Sequence, residues 1–428
     1  MAEDSPGPIL GMTGLMKLKR QPDDFLVEEL PMVAGAKEGK FGFYRLTKRG
    51  VGTLEAIEEI RRRWDLSSRQ ISYGGLKDRH AVTIQYLTIF NGPSRGYREG
   101  GVDLESVGRL DFPYGPNQFR GNRFTVVMRD LSAPGVEAAV RSLGQIPVDG
   151  LPNYFDDQRF GSVGFDGEFI GHAWLKGDHE RALKLAIAGA NPMDRPDVRA
   201  EKVILRETWG DWPEAKNRLP RSHARSLVTY LVDHPTDFRG AFARLRRELR
   251  SLYFSAYQSH LWNLCLARTI EASTRPDQRT AVAFKAAELP IHHGLDPDQA
   301  AHLRSAMVPL PATRTKLPDS GPIRDAALEV VAGQGLGWED LRVKHLKDVF
   351  FSKGFRPALF FVDGLTHEAG PDPLYPGRRL LKLQFELLKG AYATLVVKRV
   401  TDAATGPTGD AVPMADLGES DEPVASEG

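Results

Sequence analysis

The sequence predicts an α+β protein in which a strand-rich domain is interrupted by a helix-rich insert. Short apolar or alternating runs, typical of strands, dominate the first 165 residues, and clean alternation returns in LKLQFELLKGAYATLVVKRV at 381–400. Between them, residues 170–190 and 238–272 repeat apolar positions at steps of three and four, as helices do. We therefore expect a discontinuous domain (1–165 with 349–400), an inserted domain (166–348) and a disordered acidic tail (401–428).

Composition excludes several classes of protein. The chain has 428 residues, of which 41% are hydrophobic and 26% charged, so it is globular and long enough for two domains. The single cysteine, Cys265, excludes an internal disulfide and a cysteine-based zinc site. No apolar run is long enough for a membrane span, and the acidic N-terminus lacks the basic region of a secretory signal. We expect a soluble, cytoplasmic protein.

The net charge of +1 conceals an asymmetry. Residues 401–428 contain seven acids and no Lys or Arg, which leaves 57 basic against 49 acidic residues, or +8, on the remainder. This surplus is compatible with a nucleic-acid partner, and it is equally compatible with a mildly basic enzyme that carries an acidic tail.

The first 165 residues contain strand candidates and one amphipathic helix. The candidate strands are 25–27, 41–46, 71–73, 82–90 and 124–128. Thr53 is placed to cap a helix whose Leu54, Ile57, Ile60 and Trp64 form one apolar stripe, and Arg61 to Arg63 suit its C-terminal end.

The helical middle and the C-terminus have patterns of their own. In 238–272, Phe238, Phe242, Leu245, Leu249 and Leu252 lie on one face, and Arg239, Arg246, Arg247 and Arg250 lie on the other, which is a solvated face or, less often, an RNA contact. The alternation at 381–400, with a turn near Lys389-Gly390, predicts a closing hairpin of two strands.

The stretch GGLKDRHAVTIQ (74–85) is the first candidate for chemistry. Its glycines permit a tight turn, but the glycine spacing of a phosphate loop is absent, and Asp78 with His80 supplies too few ligands for a metal. What remains is a carboxylate held ionised by nearby positive charge, which suits a nucleophile or an electrostatic stabiliser. The alternative is a salt-bridged turn without function.

Six stretches in order resemble the tRNA pseudouridine synthase D (TruD) family. GGLKDRHAVT resembles the family's catalytic Gly-x-Lys-Asp-Lys/Arg loop. Four other motifs and a helix of the insert agree with it: KRQPDDFLVEE (19–29), GNRFTVVMR (121–129), PNYFDDQRFG (152–161), KGAYATLVVKR (389–399) and AYQSHLWN (256–263). The resemblance covers residues 19–399.

The resemblance implies a fold and an activity. The expected fold is the pseudouridine synthase type, a long, mainly antiparallel sheet with flanking helices and an inserted TruD-specific α/β domain. The expected activity is an isomerase that converts a uridine in tRNA to pseudouridine, at position 13 of the D-arm by family precedent, with no metal or cofactor. The basic body would neutralise RNA phosphates along a cleft between the domains. No protein partner is implied, and a monomer is favoured.

The resemblance also implies roles for six residues. Asp78 is the expected catalytic group, and Lys19 is a better candidate for its ion-pair partner than its neighbours in sequence. Phe124 would receive the extruded uracil, with Asn122 as a hydrogen-bonding group beside it. The other two residues could be functional or purely structural. Phe25 lies near the site or simply in the core. Arg159 contacts a phosphate or ties the insert in place.

The chain departs from the family pattern at several positions, and two other functions remain as alternatives. Asp156 stands where the family has Gly, and Lys398-Arg399 stands where Arg-Glu is usual. One alternative is an Asp-dependent nucleoside hydrolase, which would release free uracil. The other is a non-catalytic RNA-binding or RNA-folding protein, in which Asp78 is dispensable.

Overall fold

The computed structural model describes residues 17–405. The chain divides into two compact units: unit 1 contains residues up to 150 and from 361 onward, and unit 2 is Leu151–Phe360. The expected domain bounds at 165 and 349 both fall within unit 2. Over residues 17–405, no helix combines the length and apolar character needed to cross a lipid bilayer.

The strands and helices follow in chain order. The strands are β1 (Phe25–Pro31), β2 (Phe41–Arg49), β3 (Ile71–Tyr73), β4 (Val82–Phe90), β5 (Tyr97–Glu99), β6 (Val102–Leu110), β7 (Phe119–Leu131), β8 (Leu151–Pro152), β9 (Arg279–Phe284), β10 (Ala287–His292), β11 (Met307–Pro309), β12 (Phe355–Pro357), β13 (Leu359–Phe360), β14 (Asp363–Pro371) and β15 (Arg379–Leu388). The α-helices are α1 (Thr53–Arg63), α2 (Ala133–Asp149), α3 (Ile170–Leu175), α4 (His179–Ala188), α5 (Pro196–Glu207), α6 (Trp212–Arg218), α7 (His223–Asp233), α8 (Phe238–Ala243), α9 (Arg247–Ser273), α10 (Pro297–Ser305), α11 (Pro322–Gly333) and α12 (Ala393–Thr405).

Unit 1 is built on a nine-stranded sheet. Its order is β14-β15-β7-β1-β4-β2-β6-β5, and β3 pairs with β4 as a side branch. The β1–β4 pair is parallel and the other pairs are antiparallel. The predicted α+β class with a mainly antiparallel sheet is therefore confirmed.

The predicted strands of unit 1 are present, but β5 and β6 were missed. They form a hairpin whose two-residue loop, Gly100-Gly101, has φ of 56° and 84°. Two consecutive positive φ values are the geometry of the tight turn that joins twisted antiparallel strands, and glycine adopts them without a steric penalty.

Helix α1 covers one face of the sheet. Ala56 and Ile60 pack into a buried cluster with Leu46 of β2 and Leu87 of β4. The N-cap of α1 is Gly52 rather than Thr53, and Leu54 of the predicted apolar stripe is exposed.

The C-terminal hairpin prediction was wrong in its second half. β15 is a strand with Leu381, Leu383, Phe385 and Leu387 buried on one face, as predicted. After Gly390 (φ 86°) the chain forms helix α12 instead of a second strand. Its β-branched residues favour a strand locally, but Ala393, Val396, Val397 and Val400 also repeat at helical spacing and are buried. Helix α12 packs against α2, where the Arg399 guanidinium donates a hydrogen bond to Gln145 Oε1 at 2.7 Å.

The first five residues of the predicted disordered tail are helical. Residues 401–405 complete α12. The rest of the predicted tail, 406–428, and the N-terminal stretch 1–16 lie outside the described residues.

Unit 2 is helix-rich, with three two-stranded ladders: β9 with β10, β11 with β12, and β8 with β13. The predicted helical stretch 238–272 divides into α8 and α9. Arg250, predicted on a solvated face, is buried and pairs with Asp348 at 2.7 Å. Leu252, predicted on the apolar face, is partly exposed.

Candidate active site

Asp78 lies on the loop between β3 and β4, and side chains of neighbouring elements fix the backbone of that loop. The Gln85 amide, on β4, donates to the carbonyl oxygen of Gly75 at 3.1 Å. The Thr53 hydroxyl, at the start of α1, accepts the backbone N–H of Lys77 at 2.9 Å and donates to Gln85 Oε1 at 2.9 Å. Residues of α1 and β4 therefore restrain the backbone of the loop, independently of any contact to the Asp78 carboxylate.

A buried lysine of β2 completes this support. The Lys48 ammonium donates to the carbonyl oxygens of Val51 (2.9 Å), Lys77 (2.9 Å) and Asp78 (2.5 Å). Lys48 is fully buried, and this burial lowers its pKa from 10.5 to about 8, although the charge of Asp78 opposes the shift. An ammonium has three N–H donors, so each carbonyl receives one.

The two cations that flank Asp78 in sequence pair with other residues. Lys77 Nζ lies 3.1 Å from Glu29 Oε1, and both side chains are almost wholly buried. Arg79 turns outward and pairs with Glu55 at 2.7 Å. Lys77 and Arg79 thus attach the loop to different neighbouring elements. Neither of them pairs with the Asp78 carboxylate.

Glu29, the ion-pair partner of Lys77, also accepts hydrogen bonds from two other residues. Its Oε2 accepts the hydroxyl of Tyr114 at 2.9 Å and the backbone N–H of Tyr86 at 3.1 Å. Burial, together with the Glu29 charge, raises the pKa of Tyr114, so this phenol stays a donor. Gly74 passes close by: a Cβ there would lie 2.7 Å from the Phe119 ring and 2.9 Å from Glu29 Oε1.

The Asp78 carboxylate pairs with Lys19. Lys19 Nζ lies 3.1 Å from Asp78 Oδ2, and the side chains are 3% and 10% exposed. Lys19 adopts φ 48°, the left-handed region that non-glycine residues rarely use, and its ammonium lies 4.1 Å from the centroid of the Phe25 ring. Asp78 Oδ1 is buried and has no hydrogen-bond partner within residues 17–405. One carboxylate oxygen is thus held by Lys19, and the other has no hydrogen-bond partner among residues 17–405.

Three aromatic rings extend from this ion pair across the sheet. Phe124 of β7 lies 6.2 Å from Phe25 of β1 and is stacked on Phe385 of β15 at 5.6 Å, as measured between ring centroids. Phe385 is fully buried and Phe25 nearly so, whereas Phe124 is only half-buried. Phe124 therefore presents an aromatic surface that Phe385 supports, and it lies next to Phe25, the ring that the Lys19 ammonium contacts.

Asn122 lies two residues before Phe124 on β7, so the two side chains share a face of the sheet. Its register partners are Glu29 on β1 and Leu387 on β15. Asn122 Oδ1 is buried, and no donor for it exists among the described residues. A buried acceptor without a donor is uncommon in folded proteins and is often satisfied by a ligand.

A buried ionic network holds the N-terminal stretch that carries Lys19. Arg129 of β7 binds both oxygens of Asp24 (3.0 Å from Nε) and one oxygen of Asp372 (3.0 Å). Burial alone would raise the pKa of Asp372, but hydrogen bonds from the backbone N–H groups of Asp130 and Leu374 and from Arg129 lower it overall. The backbone of Arg129 also pairs with that of Lys17.

Arg159 belongs to unit 2, where it is tied to α9. Its guanidinium donates to the hydroxyl of Ser259 at 3.2 Å and to that of Ser255, and it lies over the Phe155 ring. These contacts favour the structural alternative. Asp156 has φ −85°, a value open to any residue, so glycine is not required there.

Sequence reasoning missed several residues of the site. Lys48 follows Tyr44 and Leu46 on the inward face of β2, and a lysine that continues a buried alternation is a recognisable signal. Phe385 was predicted as core but not as the support of Phe124. Glu29 was noted only within its motif. No group of three or more His, Cys, Asp or Glu among the described residues could hold a metal ion.

Comparison with known proteins places this arrangement in a class. The fold is similar to a crystal structure from Methanosarcina mazei that is described as a tRNA pseudouridine synthase D (TruD), with a TM-score of 0.73, 26% identity, and coverage of 91% of this chain and 94% of that chain. The fold is thus that of a pseudouridine synthase, an isomerase.

The particular family follows from the sequence. The family model described as tRNA pseudouridine synthase D (TruD) matches residues 10–400, and the chain belongs to this family. A probable tRNA pseudouridine synthase D of Methanocaldococcus jannaschii is 30% identical over 90% of this chain and 91% of its own length. The tRNA pseudouridine synthase D of Aquifex aeolicus is 26% identical over 90% of this chain and 98% of its own.

Proposed function

We propose that this isomerase converts a uridine of tRNA, at position 13 in the D-arm, to pseudouridine, with Asp78 as the catalytic residue. The observation that carries the proposal is the Asp78 carboxylate, bound by Lys19 through one oxygen and free at the other. The free oxygen is buried, and the half-buried ring of Phe124 lies next to Phe25, which the Lys19 ammonium contacts. The family and the names of its relatives support tRNA as the substrate.

The reaction needs a carboxylate that is held in place, and the Lys19 ammonium lies 3.1 Å from Asp78 Oδ2. In the isomerisation the bond from ribose C1′ to uracil N1 breaks, a bond from C1′ to C5 forms, and the C5 proton is lost while N1 gains one. Asp78 can add to the base, attack C1′, or remove a ribose proton. Each role requires one carboxylate oxygen that is not engaged by another group, and Oδ1 is the candidate for it.

Phe124 and Asn122 suit the binding of an extruded base. A uridine must leave its stack before an enzyme can reach C1′, and an aromatic side chain offsets part of the stacking energy lost. Phe124, supported by Phe385, offers that surface. Uridine carries donors at N3 and at its ribose hydroxyls, and Asn122 Oδ1 is a buried acceptor that lacks a donor.

Rigid support of Asp78 is the reason for the surrounding contacts. A catalytic group must be held within a fraction of an ångström of its productive position. Lys48, Thr53 and Gln85 restrain the loop backbone, and Lys19 restrains the carboxylate. We assign Lys48 the role of a positioning residue because it binds the carbonyl oxygens of Lys77 and Asp78.

Product analysis tests the proposal. An unmodified tRNA transcript is incubated with the enzyme and digested to nucleosides, which are separated by chromatography, and the modified position is mapped by carbodiimide labelling and primer extension. We expect pseudouridine at position 13, and a transcript with cytidine at that position should yield none. Free uracil without pseudouridine would identify a hydrolase instead, and pseudouridine only at other positions would refute the assignment of the site.

A further inference from the structure

Two turns of unit 2 form an exposed surface that combines aromatic rings with cations. We call it the aromatic–basic surface and define it by Arg314, Lys316, Phe350, Lys353 and Phe355. The Phe350 and Phe355 residues are 62% and 40% exposed, and the three cations are exposed as well. Large apolar side chains left in water beside cations are a common feature of binding sites.

The two turns are held together by hydrogen bonds. Gln258 of α9 donates to the carbonyl oxygens of Pro311 (3.0 Å) and Ser352 (2.7 Å) and accepts the N–H of Ser352 (3.1 Å). The hydroxyl of Thr315 accepts the N–H of Gly354 at 3.2 Å. The two turns that carry the aromatic–basic surface are therefore fixed to α9 and to each other, and they are not independent loops.

The charges of this surface lack counterions. The guanidinium of Arg314 lies over the Phe350 ring at 4.9 Å, and neither Lys316 nor Lys353 has an ion pair among the described residues. Residues 342–356 contain five Lys or Arg and a single acid, Asp348, which is already paired with Arg250. Excess positive charge without partners attracts a polyanion.

The combination of rings and cations distinguishes RNA from a protein partner. Protein interfaces are depleted of lysine, whereas surfaces that bind single-stranded nucleic acid combine cations for phosphates with aromatic rings on which bases stack. An arginine over a ring adds a second planar surface for a base.

We propose that the aromatic–basic surface is a second RNA contact, where an unpaired base stacks on Phe350 and Arg314 while Lys316 and Lys353 neutralise the adjacent phosphates. The inference rests on the proposed function in that the RNA is the tRNA substrate. It concerns affinity, and it assigns no chemical step to unit 2.

Binding of a tRNA transcript at several salt concentrations tests the inference. We expect Phe350→Ala to raise Kd on the order of tenfold with an unchanged salt dependence, because a stacking contact is lost. Lys353→Gln should weaken binding and reduce the slope of log K against log salt by about 1, because a phosphate contact is lost.

Matched controls are the exposed Phe165→Ala and Arg195→Gln in the same unit, which should leave Kd and the slope unchanged. Circular dichroism verifies the fold of each variant. Wild-type affinity in both Phe350→Ala and Lys353→Gln would overturn the inference, and so would an equal loss in the controls. A wild-type protein that binds tRNA without forming pseudouridine would refute the proposed function alone, since Kd would still report on this surface.

Discussion

Replacement of Lys48 by Met should remove a specific pH dependence of stability. The folded protein lowers the pKa of Lys48 from 10.5 to about 8, chiefly through burial. Below about pH 8 the lysine is charged in both the folded and the unfolded chain, and the folded state bears the whole desolvation penalty. Between pH 8 and 10.5 the folded state releases its proton before the unfolded state does, so the free energy of unfolding rises with pH.

The magnitude follows from the difference between the two pKa values. Each pH unit corresponds to about 1.4 kcal/mol, so wild type should gain about 3 kcal/mol from Lys48 over this window. Lys48→Met cannot make this gain. At pH 7 the variant should also be less stable than wild type, because the buried hydrogen bond to the Asp78 carbonyl and two part-buried ones are lost. A buried carbonyl left unsatisfied costs about 1–3 kcal/mol, offset in part by relief of the lysine's desolvation penalty.

Urea unfolding followed by circular dichroism from pH 7 to 10.5 measures this difference. The free energy of unfolding of wild type relative to Lys48→Met should increase by about 3 kcal/mol across the window. Lys382→Met, which replaces a partly exposed lysine of β15, should run parallel to wild type. Parallel curves for wild type and Lys48→Met would show that Lys48 does not titrate in this way.

Three further substitutions have defined outcomes. Lys19→Met should lower the single-turnover rate on the order of 10²–10³-fold, because Asp78 loses its ion pair, and a rate close to wild type would contradict that pairing. Phe124→Ala should weaken tRNA binding on the order of tenfold, while Phe124→Tyr should bind like wild type. Equal affinities of Phe124→Ala and wild type would argue against base stacking. Gly74→Ala should lower the melting temperature, because its Cβ would lie 2.7 Å from the Phe119 ring; an unchanged melting temperature would show that the ring yields freely.

The strand-rich part of the fold was largely predictable because its signals are local. The buried alternation of β15 and the apolar run of β4 are read directly from the sequence. The hairpin of β5 and β6 was missed because β5 is polar and only three residues long, and because the alternation of β6, with Val102 and Leu104 buried, is brief. Helix α12 was missed because β-branched residues favour a strand locally, and its contact with α2 is not visible in the sequence.

Individual residues of the candidate site were predictable from the sequence, but most of the contacts between them were not. Asp78, Lys19 and Phe124 were singled out by resemblance to a family, and the structure shows Lys19 paired with Asp78. The role of Lys48 depends on where its ammonium meets the carbonyl groups of a loop 29 and 30 residues further along the chain. Such contacts follow from the strand register and the loop path, which a single sequence does not give.

The central claim is that Asp78 carries out chemistry that labilises the C5 proton of a uridine. The direct test is tritium release from tRNA transcripts labelled at uridine C5, with wild type and Asp78→Asn in parallel. Asparagine keeps the size and the loop contacts but lacks the charge, so we predict release by wild type and only background release by the variant. Equal release by both proteins would contradict a catalytic Asp78, and no release by a wild type that binds the transcript would contradict the isomerase itself.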